Sequence, residues 1–128
     1  MTIYLATDHA GFEIKEKIKE FLKEQKYTVK DCGPDSFVPT DDYPDYISLA
    51  AAGVAKNPKD RAIIFGGSGQ GEAMVANRHK GVRAAVFYGE PQNVSEQGMQ
   101  RQDKSKNMIF LSREDDNANI LSLGAGFL

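Results

Sequence analysis

Short apolar runs alternate with longer amphipathic stretches along this chain. The apolar runs end at polar or turn-forming residues and predict strands over 2–6, 27–31, 61–65, 82–88 and 120–123. The stretches between them predict helices over 11–25, 47–54, 72–79 and 108–119. Strands that alternate with helices are typical of an α/β fold, in which helices cover both faces of a parallel sheet.

Two polar stretches interrupt this alternation. Residues 33–44 are rich in proline and aspartate and predict a loop. Residues 89–107 are polar and have no clear hydrophobic period, so we interpret them as an insertion loop. The sequence has no internal repeat and no linker, and 128 residues suit one domain. We therefore predict a single domain over 1–128.

Composition and charge argue against several classes of protein. Hydrophobic residues make up 41% of the chain and charged residues 27%, as in ordinary globular proteins. The net charge of −2 argues against a broad basic surface for nucleic acid or membranes. The N-terminus lacks the basic start of a signal peptide and the one cysteine cannot form an internal disulfide, so we expect a cytoplasmic protein. With two histidines and no CxxC motif, we expect no zinc site of cysteine and histidine ligands.

The ends of the predicted strands carry the candidate chemistry, because ligands bind at the carboxyl ends of strands in parallel α/β sheets. Asp8 and His9 follow the first strand, where packing does not explain a polar pair, so a ligand or catalytic role is one interpretation. The alternative is that Thr7 or Asp8 caps the next helix. Cys32 follows the second strand and is interpreted as a small buried residue rather than a nucleophile.

A glycine-rich loop, residues 66–71, joins the third strand to a helix. Glycines let backbone N–H groups turn toward a ligand, and the helix N-terminus adds partial positive charge, so the loop suits an anion or a developing oxyanion. The alternative is a simple tight turn. The same loop is the only feature that favours a nucleotide-binding site. Two observations argue against such a site: Glu72 stands where a phosphate-binding lysine would be, and the GxGxxG pattern is absent.

Glu72 is the strongest catalytic candidate after the loop. Its functional interpretation is a general base that faces the cleft at the strand ends, with a pKa raised by partial burial. Its structural interpretation is a carboxylate that stabilises the positive end of a helix. In the loop over 33–44, the phenol of Tyr43 is a candidate for the same cleft, whereas a rigid turn at Tyr43-Pro44 is the simpler interpretation.

Four ordered segments resemble the type B ribose-5-phosphate isomerase and galactose-6-phosphate isomerase family. They are TDHAGFEIKEKIKEFL, DDYPDY, GGSGQGEAMVANRHKGVRAAV and LSREDDNANILSLGA. The resemblance implies a Rossmann-like three-layer sandwich with a five-stranded parallel sheet, and a homodimer or homotetramer with sites at subunit interfaces. It also implies that a phosphorylated sugar is isomerised between aldose and ketose through a cis-enediol, without a cofactor.

The resemblance also implies roles for individual residues. Many family members have a catalytic cysteine at the position of Gly66, whereas a subgroup has a Gly-Gly-Ser-Gly loop followed by Gly-Glu and uses that glutamate as the base. In this chain Glu72 would then move a proton between C2 and C1. Asp8 would contact the sugar hydroxyls or ring oxygen, His9 the phosphate, and Tyr43 the sugar pocket. The enediolate oxygen would be held by Gly67, Ser68, Gly69, Gln70 and Gly71.

Three positions depart from the family pattern. The motif His-Asn-Asp-Ala-Asn is here Asp-Asp-Asn-Ala-Asn, so Asp115 stands where a histidine opens the sugar ring and Asp116 where an asparagine bonds the reacting oxygens. Gly126 stands where an arginine contacts the phosphate, and family members continue beyond the position of Leu128 into a C-terminal helix.

Two functions are compatible with these departures. In the first, the chain is an active isomerase, predicted to act on ribose 5-phosphate, in which Asp115 replaces the histidine as acid and base. In the second, it is a non-catalytic or altered-substrate subunit that binds a sugar phosphate. We favour the first, because the base and the oxyanion loop are intact, and lost phosphate contacts weaken binding before they affect chemistry.

Overall fold

The computed structural model describes residues 1–36, 43–89 and 107–128. Its strands are β1 (Thr2–Thr7), β2 (Thr28–Asp31), β3 (Arg61–Gly66), β4 (Ala84–Phe87) and β5 (Ile120–Gly124). Its helices are α1 (Phe12–Glu24), α2 (Tyr43–Lys56), α3 (Gln70–Ala76) and α4 (Met108–Asp116). Two short 3₁₀ turns, His9–Gly11 and Ala125–Phe127, follow β1 and β5.

The five strands form one parallel sheet in the order β2-β1-β3-β5-β4. The register aligns Leu5 of β1 with Ile63 of β3, and Ile63 with Leu121 of β5. All carboxyl ends therefore meet at one edge of the sheet. The sheet and its flanking helices confirm the predicted Rossmann-like α/β sandwich.

Each face of the sheet packs against its own apolar core, because successive side chains along a strand point to opposite faces. One core joins α2 to the sheet through Ile47 and Val54, which pack with Ile64 of β3. The other joins α1 to the sheet through Leu22, which packs with Leu5 and Phe65. These central strands are buried on both faces, as expected for a parallel sheet.

A buried ion pair fixes the connection that leaves β2. The side chain of Lys15 on α1 is fully buried, and its Nζ lies 2.7 Å and 2.8 Å from the two carboxylate oxygens of Asp31. The same Nζ donates to the carbonyl oxygen of Pro34 at 3.0 Å. The backbone N–H of Thr7 in turn donates to the carbonyl oxygen of Gly33 at 3.2 Å. The chain beyond β2 is thus held against the carboxyl end of β1.

Several element boundaries differ from those predicted. The helix predicted over 47–54 already begins at Tyr43, so Tyr43-Pro44 belongs to the first turn of α2 and not to a loop. A proline is tolerated there because the first N–H groups of a helix have no intrahelical partner. The helix predicted over 108–119 ends at Asp116, because Asn117 adopts a left-handed φ of 52°.

Two further boundaries are corrected. The helix predicted over 72–79 runs from Gln70 to Ala76, and the strand predicted over 82–88 runs only from Ala84 to Phe87. Most of the predicted insertion loop, residues 90–106, lies outside the described residues. Within the described part of the chain, no helix is long and apolar enough to cross a membrane.

Candidate active site

The candidate site lies where β1 and β3 end side by side. The backbone N–H of Asp8, directly after β1, donates to the carbonyl oxygen of Phe65 at 3.2 Å. The buried hydroxyl of Thr7 donates to the same oxygen at 3.2 Å. These bonds hold the segment that carries Asp8 against the start of the glycine loop.

The glycine loop is held in shape from β5. Gly69 has a left-handed φ of 79°, which a glycine adopts without strain, and α3 begins at the next residue. The hydroxyl of Ser122, fully buried in the middle of β5, donates to the carbonyl oxygen of Gly69 at 2.7 Å. Within the loop, the Oγ of Ser68 accepts the backbone N–H of Gln70 at 3.2 Å.

Sequence analysis missed Ser122 as a supporting residue. A signal was present, because this serine interrupts the apolar run Ile-Leu-Ser-Leu of the predicted fifth strand. A buried hydroxyl in such a run needs a hydrogen-bond partner. Its partner in the glycine loop is set by the pairing of β3 with β5, which the sequence pattern does not show.

Glu72 is buried, with 4% of its surface exposed, and its carboxylate lies against the Cα of Gly66. The pKa of this carboxyl is raised from 4.5 to about 7, and burial is the largest cause. The negative charge of Asp8 and a side-chain hydrogen bond with Asp8 contribute to this rise, while a hydrogen bond from the backbone of Glu72 itself opposes it. A carboxyl with this pKa both accepts and returns a proton near neutral pH.

Asp8 caps the turn after β1 and also contacts Glu72. Its carboxylate accepts the backbone N–H groups of Ala10 at 2.8 Å and Gly11 at 3.1 Å, so it caps the 3₁₀ turn. The same carboxylate faces Glu72, whose pKa it raises. His9 is exposed in the first position of that turn, at the same edge of the sheet.

The end of β5 closes the outer side of the glycine loop. The backbone N–H of Gly126 donates to the carbonyl oxygen of Gly67 at 2.9 Å. A Cβ on Gly126 would lie 2.9 Å from that same oxygen, so a side chain there would press on the loop. Beyond it, the rings of Tyr88 and Phe127 form a tilted pair with centroids 5.8 Å apart.

A model of the Ribose/Galactose Isomerase family matches residues 3–128. The chain belongs to this family. It is 39% identical over 127 residues to the probable ribose-5-phosphate isomerase B of Mycoplasma genitalium, covering 98% of this chain and 73% of that protein. It is 34% identical over 124 residues to the ribose-5-phosphate isomerase B of Mycobacterium tuberculosis, covering 97% of this chain and 67% of that protein.

Solved structures agree with this assignment. The crystal structure of ribose-5-phosphate isomerase B from Mycoplasma genitalium with bound ribulose-5-phosphate matches with a TM-score of 0.81 and 38% identity, over 99% of this chain and 74% of that one. The Clostridium thermocellum ribose-5-phosphate isomerase B matches with a TM-score of 0.79 and 32% identity, over 100% and 75%. The predicted family is therefore confirmed.

In this member of the Ribose/Galactose Isomerase family, Asp115 and Asp116 lie far from Glu72 within one chain. They end α4 at the amino edge of the sheet, where the carbonyl oxygen of Asn119 accepts the N–H of Ala62 at 3.2 Å. Glu72 lies at the carboxyl edge, and the six residues of β3 between these edges span roughly 17 Å at about 3.3 Å per residue. The structure of one chain does not bring these residues together.

Two arginines that sequence analysis did not single out shape the segment after Asp116. The Nε of Arg83 donates to the carbonyl oxygen of Asn117 at 2.8 Å. The guanidinium of Arg113 donates to the side chain of Asn117 at 3.1 Å and to the carbonyl oxygen of Ala118. Asn117 and Ala118 are thus anchored by charge-assisted hydrogen bonds, which are stronger than neutral ones.

Tyr43 begins α2, but its side chain lies outside the described residues. In residues 1–36, 43–89 and 107–128, no group of three or more His, Cys, Asp or Glu side chains is placed to hold a metal ion.

Proposed function

We propose that this chain is an aldose–ketose isomerase that interconverts ribose 5-phosphate and ribulose 5-phosphate. The observation that carries the proposal is the buried carboxylate of Glu72, which has a pKa of about 7 and lies beside a loop of backbone amides. The names of its relatives and the ribulose-5-phosphate in the Mycoplasma genitalium structure support the same substrate.

In the proposed reaction, Glu72 removes the proton from C2 of the open-chain aldose. The electrons of that C–H bond form the C1=C2 bond, and the carbonyl oxygen on C1 becomes an enediolate oxygen. The Glu72 carboxylic acid then returns the proton to C1. The proton of the C2 hydroxyl passes to the oxygen on C1, so C2 becomes the new carbonyl and C1 carries a hydroxyl. No external oxidant or cofactor is needed, because the substrate carbonyl accepts the electrons.

The glycine loop would stabilise the charge that develops on this oxygen. Preorganised N–H donors are worth more in a water-poor site than in bulk water, and they cost no reorganisation during the reaction. The proposed donors are the backbone amides of the loop and the Ser68 hydroxyl, namely Gly67, Ser68, Gly69, Gln70 and Gly71. The bonds from Ser122 and Gly126 support this role, because they fix the loop before substrate arrives.

The remaining predicted residues would bind the sugar. Asp8 would contact the hydroxyls or ring oxygen, His9 the phosphate, and Tyr43 the pocket wall. Asp115 and Asp116 lie at the opposite edge of the sheet, so they would reach the site only from a second copy. We therefore propose a homodimer or homotetramer with shared sites, acting on a cytoplasmic sugar phosphate.

A second candidate is a non-catalytic or altered-substrate subunit that binds a sugar phosphate. It is favoured by the acidic residues at 115 and 116, since two carboxylates near an enediolate repel it when ionised. The contact of Gly126 with Gly67 also leaves no room for an arginine at that position without a shift of the loop.

Isomerisation in D₂O, followed by NMR, tests the proposal. Wild-type protein should convert ribose 5-phosphate and exchange deuterium into the product at C1. Glu72→Gln should lower the exchange rate by about 10²–10⁴-fold, the usual contribution of a general base. Glu13→Gln is the matched control, because this carboxylate is 84% exposed on α1 and pairs only with Lys17 among the described residues.

Three outcomes are informative. Exchange that persists in Glu72→Gln contradicts Glu72 as the base. Exchange of the C2 proton without net isomerisation by the wild type shows that the ring opens and that Glu72 enolises the sugar, and it places the defect in the later proton transfer between the oxygens of C2 and C1. Binding of ribulose 5-phosphate without exchange on any pentose or hexose phosphate supports the second candidate.

A further inference from the structure

Gly66 leaves an unusual space at the end of β3, and the carboxylate of Glu72 occupies it. A Cβ built on Gly66 has three nearest atoms, and all three belong to the carboxyl group of Glu72. Each of these atoms is close enough to overlap with the Cβ. Any side chain at position 66 therefore competes with the carboxylate for one volume.

The backbone does not require glycine at this position. Gly66 is the last residue of β3, aligned with Gly124 of β5, and its φ is not in the left-handed region. An alanine is compatible with such a strand backbone without strain. The need for glycine at position 66 is therefore steric and comes from Glu72.

We propose that Gly66 is a positioning residue for the base: its missing side chain supplies the volume that keeps the Glu72 carboxylate buried beside the glycine loop. The inference rests on the proposed function in that Glu72 is the group that moves the proton. The new element is that the side chain at position 66 determines whether the Glu72 carboxylate is placed to move that proton.

A methyl group at position 66 would move the carboxylate rather than the strand. The carboxylate is the end of a flexible side chain, whereas Gly66 is fixed in the pairing of β3 with β5. Once displaced, Glu72 loses the burial that contributes most to its raised pKa. It also moves away from the substrate carbons, and a displacement of about 1 Å is enough to cost on the order of 100-fold in rate.

The test compares Gly66→Ala with wild type in two measurements. Carbon-13 NMR of glutamate carboxyls, with Glu72→Gln to assign the resonance, should show the Glu72 midpoint falling from about 7 toward 4.5. The kcat for ribose 5-phosphate should fall about 100-fold. The Kd for ribulose 5-phosphate should change less than about threefold, because the loop amides stay in place.

Each outcome decides the inference. An unchanged Glu72 midpoint in Gly66→Ala overturns it, whether or not kcat falls, since the carboxylate has then not moved. A large loss of ribulose 5-phosphate binding overturns it too, because it shows a distorted loop. A lowered midpoint with unchanged kcat confirms the shared volume but contradicts Glu72 as the base, so the two proposals fail separately.

Discussion

At the residue scale, the proposed site contains two carboxylates with different surroundings. Asp8 is bound to two backbone N–H groups of its turn, whereas Glu72 is buried against Gly66. When like charges are this close, one of the two groups takes up a proton more readily. Here burial selects Glu72, which is the property that a general base near neutral pH requires.

Replacing Asp8 with asparagine should lower the pKa of Glu72. The change removes the negative charge and alters the side-chain hydrogen bond, both of which raise that pKa, while the asparagine oxygen still caps the turn. Burial remains, so the midpoint should settle between 4.5 and about 7. Because the base then stays ionised to lower pH, the acid limb of the kcat profile should move to lower pH.

The pH–rate profile of Asp8→Asn measures this shift, and carbon-13 NMR of Glu72 checks it independently. Asp35→Asn is a suitable control, since it removes an exposed carboxylate after the Gly33-Pro34 segment. An Asp8→Asn profile that coincides with the wild-type profile would show that Asp8 does not act on the base.

Sequence could identify Glu72 as a candidate but not its geometry. Its position at the start of a helix after a glycine loop is visible in the sequence, and so is the prospect of burial. The contact of its carboxylate with Gly66 depends on side-chain packing between β3 and α3, which local sequence patterns do not show. The contact of Asp8 with Glu72 is equally invisible, because it depends on the pairing of β1 with β3.

At the element scale, β5 supports the loop that follows β3. Ser122 fixes the carbonyl of Gly69, and Gly126 fixes the N-terminal part of the loop through Gly67. A loop with several glycines has high entropy when free, so these bonds hold it in one conformation. The proposed oxyanion donors are therefore ordered by β5 and the 3₁₀ turn after it, neither of which carries a proposed catalytic group.

Ser122→Ala should loosen this loop without unfolding the sheet. One buried hydrogen bond is lost, at a cost of about 1 kcal/mol in the free energy of unfolding. A looser loop stabilises the enediolate less, so kcat should fall more than KM rises. Ser112→Ala is the matched control, because its hydroxyl also donates to a carbonyl at 2.7 Å but lies on α4.

Thermal unfolding and steady-state kinetics of both serine variants give the comparison. A fall in kcat for Ser122→Ala, with kcat unchanged in Ser112→Ala, would support the role of β5. Equal kcat in the two variants would show that the hydrogen bond from Ser122 to the carbonyl oxygen of Gly69 does not contribute to catalysis.

Helix and strand cores were predictable from hydrophobic periodicity, whereas the ends were not. Prolines and aspartates make residues 33–44 resemble a loop, yet α2 begins at Tyr43 because a proline fits its first turn. The end of α4 at Asp116 depends on the left-handed conformation of Asn117, which Arg113 holds through a hydrogen bond. The bond from Arg83 to the carbonyl oxygen of Asn117 is a tertiary feature that the local pattern does not show, although asparagine is a known helix-ending residue.

At the scale of the whole molecule, the parallel sheet separates the predicted site into two groups. Asp8, the glycine loop and Glu72 meet at the carboxyl edge, because parallel strands end there together. Asp115 and Asp116 lie at the amino edge, because α4 returns along the sheet before β5 begins. The separation follows from strand direction, because residues that directly precede a strand lie at the amino edge of a parallel sheet and residues that directly follow one lie at its carboxyl edge.

A complementation experiment tests whether a second copy joins the two groups. Chains with Glu72→Gln and chains with Asp115→Asn are co-expressed with different tags, and the mixed oligomer is purified on both. If each site takes Glu72 from one chain and Asp115 from another, a mixed dimer has one intact site and one doubly altered site. Its kcat per dimer should then be about half that of the wild type, although each parent is impaired. Sites confined to single chains would instead give the mean of the two parents, since no arrangement of such chains restores an intact set.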